Sequence, residues 1–204
     1  MVFQDDETRE AWEEVHRSRL ERALADSVRE RLPKLDKKHV LDLFCGHGRV
    51  TAELLELGAL VTAIDDDDRA IAETRRRAPD AAVVQADPHE LPLQLRRGRF
   101  QVVLLAEALW RVRDLGALLG GAAAALKKGG MLVISDEHPA AACVDPVDLR
   151  WRGDYFDVRP MMGELVAAIA ATPLVLAGMH ELPSSRTRFD QRIPGELLVI
   201  ATKP

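Results

Sequence analysis

The chain has 204 residues, a length that suits one domain with a substantial core. Apolar residues make up 47% of it, charged residues 30%, and the net charge is −5, a composition typical of soluble globular proteins and not of disordered or membrane-spanning ones. The acidic balance and the shortness of the basic runs at 75–77 and 96–99 argue against a nucleic-acid partner, which would need a basic face.

The first fifteen residues are acidic where a signal peptide would be basic, and no apolar run reaches the roughly 18 residues that cross a bilayer. Cys45 and Cys143 lie far apart without a CxxC partner, so the sequence predicts neither a disulfide framework nor a metal site. We expect a cytoplasmic protein without a membrane contact, either a monomer or a homodimer.

Residues 1–33 are predicted to form an N-terminal helical extension. Apolar residues recur every three to five positions from Asp6 to Leu32, which predicts a helix with one apolar stripe, and Pro33 ends it. Such a helix either covers one side of the core or forms a lid over a ligand. Residues 39–204 form the predicted core of a single domain.

Strand-like apolar runs alternate with helical segments from His39 onward. The predicted strands are His39–Phe44, Leu60–Ile64, Ala81–Ala86, Phe100–Ala106, Met131–Asp136, Leu174–Met179 and Glu196–Thr202. The predicted helices run from the residue after Gly48 through Leu57, from Asp67 to Ala78, from Leu115 to Leu126 with Gly129 and Gly130 as its C-cap, and from Met161 to Ala171.

This alternation predicts an α/β fold, in which a parallel sheet lies between two layers of helices. The segment between the last two strands has no helical pattern, although a parallel crossover usually needs a helix. We therefore predict a seven-stranded, mostly parallel sheet with an antiparallel last strand.

Gly46 and Gly48 follow the first strand and precede a helix, where glycines let the backbone turn tightly and approach a ligand. Asp65 ends the second strand 19 residues after Gly46, and Asp87 follows the third. Acidic side chains at such strand ends can accept hydrogen bonds from ribose hydroxyls, although a lone aspartate there can also be a helix cap. The pattern indicates a nucleotide-type site.

These motifs resemble those of class I S-adenosylmethionine-dependent methyltransferases, and the resemblance runs from about His39 to Pro204. VLDLFCGHG is similar to the family's first motif, AIDDD to its ribose-binding motif and QADPHELP to its adenine-binding segment. FQVVLLAEALWRV resembles the fourth strand with its loop, and ALKKGGMLVI the helix-to-strand-five signature. The resemblance implies a Rossmann-like three-layer αβα sandwich with S-adenosyl-L-methionine as cofactor and S-adenosyl-L-homocysteine as product.

The resemblance also implies a role for individual residues. Asp42 would order the glycine loop, whose two glycines would pass near the methionine part of the cofactor. Asp65 would hold the ribose hydroxyls, Asp66 would lie beside the adenine edge, and Asp87 would accept from the adenine amino group. The predicted cofactor-binding residues are Asp42, Phe44, Gly46, His47, Gly48, Asp65, Asp66, Ala86, Asp87, Pro88, Ala106 and Glu107.

The sequence departs from the family pattern at four positions. Phe44 stands where a glycine is common, Gln101 replaces a usual aspartate, and Lys128 replaces a proline. His47 replaces a small residue in the glycine loop, where it either contacts the ligand or faces solvent.

The acceptor side is predicted beyond the fourth and fifth strands. His138 follows the fifth strand and is our candidate for a catalytic general base, the alternative being a packed loop histidine. The aromatic residues nearby either wall an apolar acceptor pocket or form a small satellite core. The predicted substrate residues are Trp110, Arg111, Trp151 and Tyr155, with Phe156, Arg150 and Arg152 as neighbours.

The sequence predicts an enzyme that transfers a methyl group in line to a small-molecule acceptor. A nicotinamide dehydrogenase fits less well, because its third glycine position falls on Thr51. The alternatives left open are an RNA or protein methyltransferase and a non-catalytic S-adenosylmethionine-binding protein. Methylation of a pyrimidine carbon would need a nucleophilic cysteine.

Overall fold

The computed structural model describes residue 24 and residues 26–145, 150–155, 160–183 and 194–204. Its helices are α1 (Asp26–Arg29), α2 (Arg49–Glu56), α3 (Asp68–Arg77), α4 (Leu115–Ala125) and α5 (Met162–Ala170). Its strands are β1 (His39–Leu43), β2 (Leu60–Asp65), β3 (Ala82–Gln85), β4 (Phe100–Ala106), β5 (Leu126–Glu137), β6 (Val175–Leu182) and β7 (Glu196–Thr202). Short 3-10 turns occupy Pro88–Glu90, Leu109–Arg111 and Ala141–Cys143. Most of the helix predicted at Asp6–Leu32 lies outside the described residues.

The seven strands form one sheet in the order β3-β2-β1-β4-β5-β7-β6. Neighbours from β3 to β5 pair in parallel, whereas β7 is antiparallel to both β5 and β6. Six strands therefore run one way and β7 runs the other, as the sequence predicted. The strand order reverses between β1 and β4, and ligands bind at the carboxyl ends of the strands beside such a reversal.

Side chains of the central strands alternate between two apolar layers, one on each face of the sheet. Val103 and Leu105 of β4 belong to the layer that contains Leu118 of α4, whereas Val102 and Leu104 belong to the layer that contains Leu54 of α2. This alternation is the period of two that a strand imposes. Because both faces are covered, β4 is a nearly continuous apolar run. Among the described residues, no helix is long and apolar enough to cross a bilayer.

Gly129 and Gly130 do not cap α4, contrary to our prediction. The helix ends at Ala125 and β5 begins at the next residue. Strand β5 pairs with β4 at Leu126 and again only from Met131, so residues 127–130 bulge out of the ladder. Gly129 has a φ of +73°, and a Cβ on Gly130 would lie 3.0 Å from the carbonyl oxygen of Phe100. The bulge requires the glycines, and the helix does not.

Two polar side chains tie elements together around β1 and α2. Gln101, which replaces the family's usual aspartate, accepts a hydrogen bond of 2.8 Å from the His39 amide and so joins β4 to the start of β1. Glu53 of α2 is buried, accepts from the Leu24 amide at 2.9 Å and pairs with Arg29. These contacts hold α1 against α2.

Candidate functional site

The loop between β1 and α2 contains three residues with positive φ, Phe44, Gly46 and Gly48. A Cβ added to Gly46 would meet nothing within 4 Å, whereas one added to Gly48 would lie 2.8 Å from the Cα of Thr74 in α3. Gly48 is therefore needed for close packing against α3. Gly46 borders open space, and it is the glycine beside which a ligand has room.

Asp65 ends β2 and is the most buried carboxylate beside this loop, with a side chain that is 0% exposed. Its Oδ2 accepts from the Gly46 amide at 2.9 Å, and its Oδ1 accepts from the Asp67 amide at 3.1 Å. Burial by itself would raise the pKa of Asp65, but hydrogen bonds and the charge of Arg111 lower it below its usual value. Asp65 is therefore a charged group that fixes the glycine loop to the end of β2.

Arg111, in the turn after β4, extends over this carboxylate. Its Nη1 and Nη2 donate to Asp65 Oδ2 and Oδ1, each at 2.8 Å, and Nη2 also donates to Asp66 Oδ1 at 2.6 Å. The guanidinium carbon lies 4.6 Å from the centroid of the Phe44 ring, a cation–π distance. Arg111 was predicted on the acceptor side, and the structure places it on the carboxylates predicted to hold the ribose and adenine.

Asp87 follows β3 and begins a 3-10 turn. Its Oδ1 accepts from the His89 amide at 2.9 Å and from His89 Nδ1 at 2.8 Å, and Arg113 pairs with its Oδ2. The amide of Arg113 donates to His89 Nε2 at 3.2 Å, so the ring proton is on Nδ1. Burial opposes ionisation of Asp87, but the His89 hydrogen bonds and the Arg113 charge lower its pKa.

Sequence reasoning did not single out His89 or Arg113. The spacing of Asp87 and His89 is that of an aspartate that closes a turn on an amide two residues ahead, which was a usable signal for His89. No local pattern signals the ion pair between Arg113 and Asp87, because the two residues are far apart in the chain.

Asp42 in β1 is buried and anchors the first turn of α2. Its Oδ2 accepts from Thr51 Oγ1 at 2.6 Å. Burial raises the pKa of Asp42 to about 7, and the charge of Asp65 adds to this rise while the Thr51 hydrogen bond opposes it. The contact agrees with the implied role of Asp42 in ordering the loop, since Thr51 lies in the first turn of the helix that follows.

The loop after β4 is fixed to β5. Glu107 has a φ of +56°, and its amide donates to the carbonyl of Ser135 at 2.8 Å. Two residues further on, the Leu109 amide donates to Asp136 Oδ2 at 2.6 Å. Burial together with the Glu107 charge raises the pKa of Asp136 to about 7. Hydrogen bonds to β5 thus hold the backbone at Glu107 at the edge of the sheet.

Three further predicted cofactor residues border the same edge. His47 is exposed, and its carbonyl accepts from Arg77 Nη1 at 3.0 Å, which favours the solvent-facing alternative. The Ala86 amide donates to the Asp65 carbonyl at 3.0 Å, and the buried Pro88 begins the 3-10 turn. These contacts bring the ends of β2 and β3 together.

His138 is buried at the end of β5, and both of its ring nitrogens are engaged. Nδ1 accepts from the Ala140 amide at 3.0 Å, and Nε2 donates to Glu181 Oε1 at 2.8 Å. A ring that accepts through Nδ1 and donates through Nε2 is neutral and has no free lone pair. Its role as a general base stays a prediction, and it requires one of these contacts to open.

The predicted acceptor-side aromatic residues lie in the loops after β4 and β5. The Trp110 side chain donates to the Glu107 carbonyl at 3.1 Å and is 50% exposed, and Trp151 is 54% exposed beside Val144, with which it forms a β-bridge. Tyr155 is half-buried, and Phe156 lies outside the described residues.

Two arginines flank Trp151. Arg152 Nε pairs with Asp145 Oδ2 at 3.1 Å, and the Arg150 carbonyl accepts from the Asp145 amide at 2.9 Å. The acceptor pocket that these arginines and the neighbouring aromatic residues would line stays a prediction.

The residues at this edge fit S-adenosylmethionine on one condition. Open space borders Gly46, and Asp65, Asp66 and Asp87 lie at neighbouring strand ends, where a cationic, hydroxyl-rich molecule would find acceptors. The condition is that Asp65 gives up Arg111, because both of its oxygens are engaged by that side chain. With that condition met, the geometry is compatible with an S-adenosylmethionine-type site on a Rossmann-like sheet.

Comparison with known proteins agrees with this class. Residues 41–134 match the family model described as a methyltransferase domain. The ubiquinone biosynthesis O-methyltransferase of Rhodopseudomonas palustris is 35% identical over 105 residues, which cover 47% of this chain and 38% of that protein. The chain thus spans less than half the length of this curated relative.

Solved structures share the fold across most of the chain. An S-adenosylmethionine-dependent methyltransferase from Mesorhizobium loti superposes with a TM-score of 0.71 at 24% identity, covering 86% of this chain and 95% of that one. A Listeria monocytogenes protein assigned to the same class gives 0.73 at 23% identity, covering 87% and 96%. These superpositions establish a fold shared with S-adenosylmethionine-dependent methyltransferases, and the similarity to a methyltransferase domain covers residues 41–134.

Proposed function

We propose that this protein binds S-adenosylmethionine at the carboxyl ends of β1 to β4 and transfers its methyl group to a small-molecule acceptor. The observation that carries the proposal is Asp65, a fully buried and charged aspartate bonded to the Gly46 amide at 2.9 Å. Once Arg111 has left it, a buried carboxylate at that position offers acceptors to a pair of ribose hydroxyls and a negative potential to a cationic ligand.

The bound cofactor would supply an activated methyl group on a sulfonium. The chain's own part is to bind and orient: Asp65 and Asp87 hold the nucleoside end, and Gly46 leaves room beside the loop. The fixed backbone at Glu107 borders the position of the amino-acid end. Holding donor and acceptor in line is enough for much of the rate enhancement of a displacement reaction.

An oxygen acceptor on a small molecule is the first to test. The partial similarity to a ubiquinone biosynthesis O-methyltransferase and the net charge of −5 support a small molecule over a nucleic acid. Burial raises the pKa of Cys45 and of Cys143 above the usual thiol value, which disfavours the thiolate that pyrimidine-carbon methylation needs. A phenol or hydroxyl acceptor would need a proton acceptor, the role for which His138 is our candidate.

The cofactor site is tested by calorimetric titration of S-adenosylhomocysteine into the parent protein and two variants. Asp65→Ala and Asp87→Ala should each weaken binding by about tenfold or more, because a lost hydrogen bond to a charged group costs about 1.5–3 kcal/mol. Asp80→Ala, at an exposed aspartate between α3 and β3, is the matched control and should bind like the parent. Affinities within twofold of the parent in both site variants would remove the assignment.

Turnover separates an enzyme from a protein that only binds the cofactor. Production of S-adenosylhomocysteine is measured against a panel of phenols, hydroxy acids, amines and thiols, with Asp65→Ala as the inactive control. Turnover on at least one panel member that is lost in Asp65→Ala is expected. Tight binding of the cofactor without turnover on any acceptor, including RNA and peptides, would favour the non-catalytic alternative.

A further inference from the structure

We propose that Arg111 is an internal competitor of the cofactor, whose guanidinium occupies the hydrogen-bonding positions of Asp65 and must leave before a ribose can bind there. The inference rests on the proposed function, since it takes Asp65 as the ribose-binding residue. It adds a regulatory step at that site: the cofactor binds only to molecules in which the pair between Arg111 and Asp65 has opened.

The carboxylate of Asp65 has no acceptor capacity left. A carboxylate offers about four lone-pair positions, two on each oxygen. Oδ1 receives the Asp67 amide and Arg111 Nη2, and Oδ2 receives the Gly46 amide and Arg111 Nη1. The two amides belong to the loops that shape the site, so Arg111 is the donor that can be exchanged for two hydroxyls.

The Arg111 side chain is partly exposed and can rotate toward solvent, whereas hydrogen bonds hold the backbone of its turn in place. The Leu109 amide is bonded to Asp136 and the Arg113 amide to His89, so both ends of the turn are held. The Arg111 side chain is 19% exposed and already touches Asp66, which is 42% exposed at the rim. Rotation about its side-chain bonds would carry the guanidinium from Asp65 outward while it keeps Asp66 as a partner.

With competition of this kind, the apparent affinity equals the intrinsic affinity multiplied by the fraction of molecules in which the pair between Arg111 and Asp65 is open. Removing the guanidinium should therefore tighten the binding of S-adenosylhomocysteine, which is the opposite of what a cofactor-contacting residue would do. Arg111→Met keeps an unbranched, apolar side chain at this position without the guanidinium and its charge. We expect its dissociation constant to fall by about fivefold or more.

The binding experiment uses the parent, Arg111→Met, Arg111→Lys and Asp65→Ala, with thermal melting to verify that each is folded. Arg111→Lys keeps a charge without the two-pronged contact and should tighten binding by a smaller factor. The matched control, Arg75→Met, changes an exposed arginine of α3 and should bind like the parent. If Asp65→Ala loses affinity while neither Arg111 variant tightens binding, the competitor role is wrong and the cofactor site stands. If Asp65→Ala binds like the parent, the proposed site is wrong and the inference falls with it.

Chemical modification provides a readout that a merely structural salt bridge would not change. Phenylglyoxal reacts with accessible guanidinium groups, and the labelled peptide that contains residue 111 is quantified by mass spectrometry. Saturating S-adenosylhomocysteine should increase labelling of Arg111 by about threefold or more, because release from Asp65 exposes it. Labelling that stays the same or falls on addition of S-adenosylhomocysteine would show that Arg111 remains at the site, and would overturn the inference.

Discussion

Asp42 and Asp65 are buried carboxylates on adjacent strands, and their pKa values shift in opposite directions. Asp42 has a neutral hydroxyl, Thr51, as its partner, and burial raises its pKa to about 7. Asp65 is also penalised by burial, but the guanidinium of Arg111 and two amides lower its pKa. A cation within hydrogen-bond distance, together with two amide donors, therefore keeps Asp65 charged, whereas ionisation of Asp42 is costly.

Asp42→Asn should change how stability depends on pH. The folded pKa of Asp42, about 7, exceeds the ordinary value of 3.8, so the folded state holds its proton more tightly and the parent loses stability as pH rises from about 4 to about 7. The amide variant has no such titration. Its melting temperature relative to the parent should rise by about 2 °C or more between pH 5 and pH 8.

Asp136 also has a raised pKa, but it is present in both proteins, so its effect cancels in the difference between their melting temperatures. A difference that is independent of pH would show that Asp42 is charged in the folded protein throughout this range.

Single residues of the site were predictable from sequence where their role depends on local position. Asp65 and Asp87 follow predicted strands, so parallel pairing alone brings their backbones to one edge. The pairing of Arg111 with Asp65 was not predictable, because 46 positions separate the two residues and only the assembled sheet brings them together. The pairing of Arg113 with Asp87 was not predictable for the same reason, since 26 positions separate these two residues.

The loop between β1 and α2 combines a packing role with the binding role that we propose. Gly46 and Gly48 both have positive φ, and a side chain would meet open space at the first and the Cα of Thr74 at the second. From the sequence the two glycines could not be distinguished, because neither residue type nor spacing reveals which glycine faces another helix.

Replacing each glycine of this loop by alanine should separate the two roles. Gly46→Ala carries a backbone cost of about 1–2 kcal/mol, and a methyl group beside the proposed site should weaken S-adenosylhomocysteine binding. Gly48→Ala adds a clash with Thr74 to a similar backbone cost and should lose clearly more stability. Urea denaturation and calorimetry measure the two effects. Equal losses of stability in the two variants would contradict the distinction.

Strand β7 is inserted between β5 and β6 and runs antiparallel to both. The absence of a helical pattern before β7 predicted this antiparallel strand, and the pairing confirms it. The sequence did not reveal that Lys203, the residue after β7, binds the C-terminal end of α4. Lys203 Nζ donates to the carbonyls of Ala123 and Leu126, each at 2.7 Å, where the helix would otherwise present unpaired acceptors. A single lysine after a strand gives no sign of this contact.

Lys203→Met should destabilise the protein by about 1–2 kcal/mol, because it removes a cation from the C-terminal end of α4 together with two hydrogen bonds. Lys128→Met, at an exposed lysine of the nearby bulge, is the matched control and should change the free energy of unfolding by less than about 0.5 kcal/mol. Urea denaturation measures both. Equal stabilities of the two variants would show that the contact contributes nothing.

We propose that this sheet edge is a cofactor site built on Asp65, and a crystal structure of the protein with S-adenosylhomocysteine would test that assignment without relying on any variant. The expected result is a ligand at the carboxyl ends of β1 to β4, with its ribose hydroxyls on the Asp65 carboxylate and the Arg111 guanidinium displaced from it. A ligand bound elsewhere would show that Asp65 is not the ribose-binding residue, and a ligand bound there while Asp65 and Arg111 remain paired would show that Arg111 does not compete with it.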